Sequence, residues 1–196
     1  TYQKMQGRFP YGRNAEQAQL DIAYAHFKND ESALAVVGAK RFIQMHPTHP
    51  NVDYAYYLKG LALFEPPDSL LDDITGKNPA NHDIRPVREA FAAYRELVSR
   101  FPDSRYASDA RKRLVYIINV LAMHDVDIAR YYYSLGADVA AVNRARSVLE
   151  TYQNSTAVEH ALGVMVKAYK RMGLTELHDD TIRVLQLNYP KSKYLN

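Results

Sequence analysis

A helix cannot run through a proline, because the ring removes an N–H donor and clashes with the preceding turn, and the residue before it is pushed out of helical geometry. In this chain such a stop recurs in a fixed setting: an aromatic residue or histidine, then proline, then turn formers. The copies are Phe9-Pro10-Tyr11-Gly12, His46-Pro47-Thr48-His49, Phe101-Pro102-Asp103-Ser104 and Tyr189-Pro190-Lys191-Ser192; Tyr152-Gln153-Asn154-Ser155 is a copy without the proline. From Pro10 to Pro47, Pro102, Gln153 and Pro190 the intervals are 37, 55, 51 and 37 residues. Stops at such a period predict an all-α helical repeat.

Helical periodicity between the stops agrees. Val87, Phe91, Tyr94, Val98 and Phe101 form one apolar stripe, and Tyr106, Ala110, Leu114, Ile117 and Leu121 form another. A tyrosine recurs nine positions before a small residue, as in Tyr24 to Ala33 and Tyr132 to Ala141, and imperfectly in Tyr169 to His178. This is the tetratricopeptide (TPR) layout, helix pairs of about 34 residues that approach closely at small side chains. It predicts an α-α superhelical solenoid of about four to five pairs, the first truncated. Helix starts are expected at Asn14 with Gln17, at Pro86, and at Thr156 with Glu159 as a capping box. Residues 65–85, rich in proline and turn formers, read as an inserted loop. The stripe from Tyr106 runs on to Met123, with a break expected near His124-Asp125. We therefore expect N-terminal repeats over 1–123, including the loop, and C-terminal repeats over 124–196, as one continuous solenoid. Residues 1–10 read as the tail of a preceding repeat, so the chain is expected to extend upstream.

Composition excludes several kinds of chemistry. With no cysteine there is no disulfide framework, thiolate zinc site or thiol nucleophile. The net charge of +3 is too small to imply nucleic acid. No run approaches the roughly 18 apolar residues of a membrane span. Phosphate loops, GxSxG elbows and HExxH motifs are absent from the sequence. His46-Pro-Thr-His49 lacks evident acidic co-ligands, and Asp68 with Asp72-Asp73 does not have the spacing of a calcium loop. No metal, cofactor or catalytic residue is therefore expected. Arg111-Lys112-Arg113 reads as a solvated face, whereas Tyr131-Tyr132-Tyr133 cannot be buried together, so at least one ring should face solvent or a partner. Sixteen tyrosines and no tryptophan supply surface that packs on one side and hydrogen-bonds on the other.

Several segments taken together resemble one family. They are Phe9-Pro-Tyr-Gly12, Gln19-Leu-Asp-Ile-Ala-Tyr-Ala25, Arg41-Phe-Ile43, His46-Pro-Thr-His-Pro-Asn-Val-Asp-Tyr54 with Gly60-Leu61, Asp109-Ala-Arg-Lys-Arg-Leu-Val115 and Gly136-Ala-Asp-Val-Ala-Ala-Val-Asn-Arg144. In this order they are similar to the BamD family, the TPR lipoproteins of the outer-membrane β-barrel assembly machinery of Gram-negative bacteria. The resemblance implies a non-catalytic scaffold on the periplasmic face of the outer membrane, held by a lipid on a cysteine upstream of Thr1. It implies that the C-terminal half docks on a POTRA domain of the barrel-forming BamA. It also implies that the N-terminal repeats receive C-terminal sequences of unfolded outer-membrane proteins, and that BamC and other accessory lipoproteins can bind. By position Arg144 matches the family arginine implicated in the BamA contact, with Asn143 and Asp138 beside it. The substrate-peptide groove is expected at Phe9, Tyr11, Tyr24, Phe27, Tyr54 and Tyr57. Two rivals remain open at this point: a TPR adaptor for other peptides, and the helical arm of a cell-wall-cleaving enzyme.

Overall fold

In the computed structural model, residues 13–64 and 83–195 are described. Among them are eight α-helices, one 3-10 turn and no strand, so the fold is all-α and of TPR type. The helices are α1 (Arg13–Lys28), α2 (Ser32–Met45), α3 (Val52–Leu63), α4 (Arg85–Arg100), α5 (Ala107–Ser134), α6 (Asp138–Thr151), α7 (Ala157–Arg171) and α8 (Thr175–Asn188), followed by the 3-10 turn Lys193–Leu195. Neighbours in sequence pack as neighbours in space, α1 on α2, α3 on α4, α6 on α7 and α7 on α8.

The recurring stop ends the second helix of each pair. His46, Phe101, Tyr152 and Tyr189 cap α2, α4, α6 and α8 with φ between −126° and −136° and ψ between 48° and 64°. Each keeps its N–H on the carbonyl four residues back. The geometry persists at Tyr152, so the copy without proline makes the same stop as the others.

The fourth motif residue then starts the next element. Its backbone N–H returns to the stop residue, as in Ser104 to Phe101, Ser155 to Tyr152, Ser192 to Tyr189 and His49 to His46. Its side chain accepts the N–H two residues on: Tyr106 to Ser104 Oγ, Ala157 to Ser155 Oγ, Tyr194 to Ser192 Oγ and Asn51 to His49 Nδ1. Orphan donors at the next helix start are thereby satisfied. This replaces the expected capping box at α7. Thr156 makes no side-chain cap; its N–H goes to Asn119 Oδ1 of α5 at 3.0 Å, and Ser155 caps Ala157.

Contacts divide the chain into two compact units, the division falling between Val115 and Tyr116 within α5. In the first, α1–α4 and the start of α5 bury Leu20, Phe42, Leu58, Tyr94 and Leu97. Small residues set the helix spacing there: a Cβ on Gly38 would lie 2.8 Å from that of Ala23, and one on Gly60 would lie 2.5 Å from the Tyr94 ring. Ala33, expected at such a crossing, is instead exposed, and Ala35 and Ala39 do that work. The buried face of α4 is Ala90, Ala93, Tyr94 and Leu97, leaving Val87, Phe91, Val98 and Phe101 of the expected stripe only half-buried.

The second unit has an alanine-rich core. Ala122, Val126 and Ala129 of α5 meet Ala141, Ala145 and Val148 of α6 and Ala161, Met165, Ala168 and Tyr169 of α7. Leu162, Val166 and Leu185 join α7 to α8. No break occurs at His124-Asp125, where α5 continues to Ser134. Asp125 is 7% exposed yet compatible with the interior because Arg144 donates to its Oδ1 at 2.6 Å. The expected loop over 65–85 lies outside the described residues up to 82; Asp83 accepts the Arg85 N–H where α4 opens, with Pro86 in its first turn.

Candidate functional site: a tyrosine ladder and a charged helix

In the first unit, five tyrosines from α1, α3, α4 and the turn before α5 converge. Tyr24 lies 6.4 Å from Tyr54, Tyr54 lies 5.2 Å from Tyr106, Tyr57 stacks on Tyr106 at 4.9 Å, and Tyr57 meets Tyr94 edge-on at 6.1 Å. Two arginines border the ladder: Arg105 lies 4.7 Å over Tyr106 and Arg113 lies 5.9 Å over Tyr57. Its polar anchor is Asp109, which accepts from Tyr57 Oη at 2.7 Å and from Arg113 Nε at 2.6 Å. Tyr24, at one end, is 44% exposed, while Tyr94 at the other is fully buried.

The environment sets the protonation of these groups. Burial, with Tyr106 and Tyr24 adding to it, pushes the Tyr54 phenol up to about 12. Burial and the hydrogen bond to Asp109 push Tyr57 up as well. Burial pushes the Asp109 carboxyl up, but hydrogen bonds from Arg113 and Tyr57 outweigh it and hold the group below its ordinary value. The ladder thus presents neutral phenols, suited to stacking and hydrogen bonding, with guanidinium charge at its border.

Of the groove residues expected from sequence, Tyr24, Tyr54 and Tyr57 are brought together. Phe27 is half-buried one turn along α1 from Tyr24, and Phe9 and Tyr11 lie outside the described residues. Sequence reasoning missed Tyr106, Tyr94, Asp109 and Arg105, and placed Arg113 on a solvated face although it is half-buried against Tyr57. The available signal was that Tyr106 follows the Phe101-Pro102 stop, where the next helix must pack back on its predecessors.

On α6, Ala141, Ala145 and Val148 are buried, while Val139 and Asn143 face solvent. Arg144 is held by Asp125 with its Nε buried and unpartnered. Asp138 is gripped by Arg171 of α7, whose Nε reaches both carboxylate oxygens at 2.8 Å and whose guanidinium stacks 3.8 Å over Tyr133. Both charges on this face are therefore tied within the chain, and Asn143 is the exposed member of the expected trio. Tyr132 is the most exposed ring of the tyrosine triplet, and Leu135 and Val139 are exposed as well.

His46 and His49 do meet an acid, Glu16 of α1, at 3.4 and 3.8 Å. Even so, no group of three such side chains among the described residues is placed to hold a metal ion. Asp68, Asp72 and Asp73 lie outside the described residues.

An all-α chain of stacked helix pairs joined by recurrent turns is a protein of the TPR class. Residues 1–185 match the YfiO family, described as outer membrane lipoprotein. The chain is 44% identical over 99% of its length to "Outer membrane protein assembly factor BamD" of Neisseria meningitidis serogroup A, covering 73% of that protein. It is 35% identical over 94% of its length to the protein of the same name from Vibrio cholerae, covering 76% of it. The chain belongs to this family of outer membrane protein assembly factors.

Proposed function

We propose that the chain is a non-catalytic adaptor in outer-membrane protein assembly, taking an unfolded client on its tyrosine ladder and a folded partner on α6. Lipid-anchored at the periplasmic face of the outer membrane, it brings clients to the POTRA region of BamA, with BamC as a further partner. The observation that carries the client half is the exposed Tyr24 at the end of a continuous ring ladder. Neutral phenols receive apolar and aromatic side chains of an extended peptide, and Arg105 and Arg113 attract a carboxylate. For the partner half, Arg144 is pre-aimed by Asp125, so a second carboxylate meets a guanidinium whose rotamer is already fixed.

Photo-crosslinkers at positions 24 and 57 test the client site. A peptide ending in an outer-membrane β-signal crosslinks more strongly than its scrambled form, and equal crosslinking rejects the assignment. On α6, retention of purified POTRA domain is compared for wild type, Arg144→Glu and the exposed Val139→Arg, which leaves the Asp125 pair intact. Undiminished retention by both variants rejects the docking face.

A further inference from the structure

The segment after α8 turns back onto α7. Tyr189 stops α8, Ser192 redirects the chain, and the 3-10 turn Lys193–Leu195 lays Tyr194 on Gly163. A Cβ on Gly163 would stand 2.5 Å from the ring carbons of Tyr194, so the missing side chain is what makes room for the ring. Tyr194 and Leu195 pack on Leu162, Val166 and Leu185, completing an apolar cluster that would otherwise be open at this end.

The phenol is held by two further groups. Arg130 of α5 donates to its oxygen at 3.4 Å, and His160 Nδ1 lies 3.0 Å away. With His160 neutral and its proton on Nε2, the phenol O–H donates to the bare Nδ1 while its oxygen accepts from Arg130, so every group in the cluster is matched. The charged groups around this imidazole are Arg130 and Asp127 from α5, Glu159 and Lys167 from α7, and Lys193 from the turn. Asp127 is paired with Arg130 at 2.8 Å.

We propose that residues 189–195 form a strap, pinned by Tyr194 in the ring-sized slot over Gly163 and released when His160 takes up a proton. A protonated ring can no longer accept the phenol proton; it must compete with Arg130 as a second cationic donor to the same oxygen, and it adds a third cation beside Arg130 and Lys193. Burial first, then Arg130 and Lys193, hold the His160 pKa below its ordinary value, outweighing Glu159 and Asp127. Lys193 and the covering Tyr194 ring leave with the strap, so the covered imidazole binds its proton less readily than the uncovered one; docking is favoured at neutral pH and weakens as the pH falls below about 6.5. Release uncovers Gly163 and the side of the Leu162, Val166 and Leu185 cluster on which Tyr194 and Leu195 pack.

Amide hydrogen exchange on the full chain, corrected for intrinsic rates, tests the strap. Between pH 7.5 and 5.5 the opening of residues 192–195 increases by up to about tenfold in wild type, while the centre of α7 stays protected. His160→Gln, which accepts the phenol proton but does not titrate, removes this pH response. Gly163→Ala raises exchange of 192–195 at every pH while α7 keeps its protection, since alanine favours the helix. A wild-type strap whose corrected exchange is flat over this range, or the same response in His160→Gln, overturns the gate. Unchanged strap protection in Gly163→Ala overturns the slot.

Discussion

One side chain does two jobs at each turn between helix pairs. Ser104 Oγ accepts the Tyr106 N–H and donates to Asp53 Oδ2 of α3 at 2.6 Å; Ser155 Oγ accepts the Ala157 N–H and donates to Asn119 Oδ1 of α5 at 2.8 Å. In the first copy His49 does the same with two ring nitrogens, Nδ1 taking the Asn51 N–H and Nε2 facing Glu16. Each turn is thus stitched to the first helix of the pair it closes. Removing the hydroxyl loses the cap and leaves Asp53 or Asn119 without that donor, so Ser104→Ala and Ser155→Ala each lower stability by about 1–2 kcal/mol in denaturant titration; a change inside experimental error at both sites would refute the stitch. Asp109 acts at the same scale. Because its carboxyl lies below its ordinary value in the fold, its contribution is complete above about pH 4 and disappears as the pH falls through the folded value. Asp109→Asn flattens stability against pH on that acid side, read as the denaturant midpoint between about pH 5 and pH 3. A profile identical to wild type would mean that Tyr57 and Arg113 do not discriminate the charged form.

At the scale of helices, glycine decides one packing distance. Gly60 of α3 lies against the Tyr94 ring, which is itself fully buried in the first unit. Gly60→Ala makes α3 a better isolated helix but drives a methyl into that ring, and overpacking of this kind costs about 1–3 kcal/mol. Thermal unfolding of the variant shows a net loss; a gain would mean that Tyr94 swings aside freely. The helix ends were legible in the sequence because an aromatic, a proline and a serine act locally, and the Tyr152 stop survives on the local pattern alone. The α5 continuation was not, because Asp125 looks like a breaker until Arg144, nineteen positions on, neutralises it. The ladder was half legible for the same reason. Tyr24, Tyr54 and Tyr57 stand out as helix-spaced aromatics, but the bond from Tyr57 to Asp109 spans fifty-two positions, and only folding brings those groups together. Arg113 was misread because a basic run on a helix does not disclose which member lies over a ring.

For the molecule as a whole, the division within α5 limits how far cooperativity extends. In repeat proteins stability is a sum of local units and nearest-neighbour terms, so damage in one place need not unfold the rest. Phe42 is fully buried in the first unit, packed edge-on to His49 at 5.1 Å and against His46 at 5.2 Å. Phe42→Ala therefore removes a large core side chain and destabilises by about 3–5 kcal/mol, felt first in α1–α4. Native-state hydrogen exchange then shows protection lost over residues 15–63 and 90–110, while the α6–α7 core around Val148 and Met165 retains most of its own. The reciprocal variant Val148→Ala, in the second unit, weakens α6 and α7 before α2 and α3. Equal loss of protection in both units from either substitution would show one cooperative fold, and the ladder and the α6 face could then not be loosened independently.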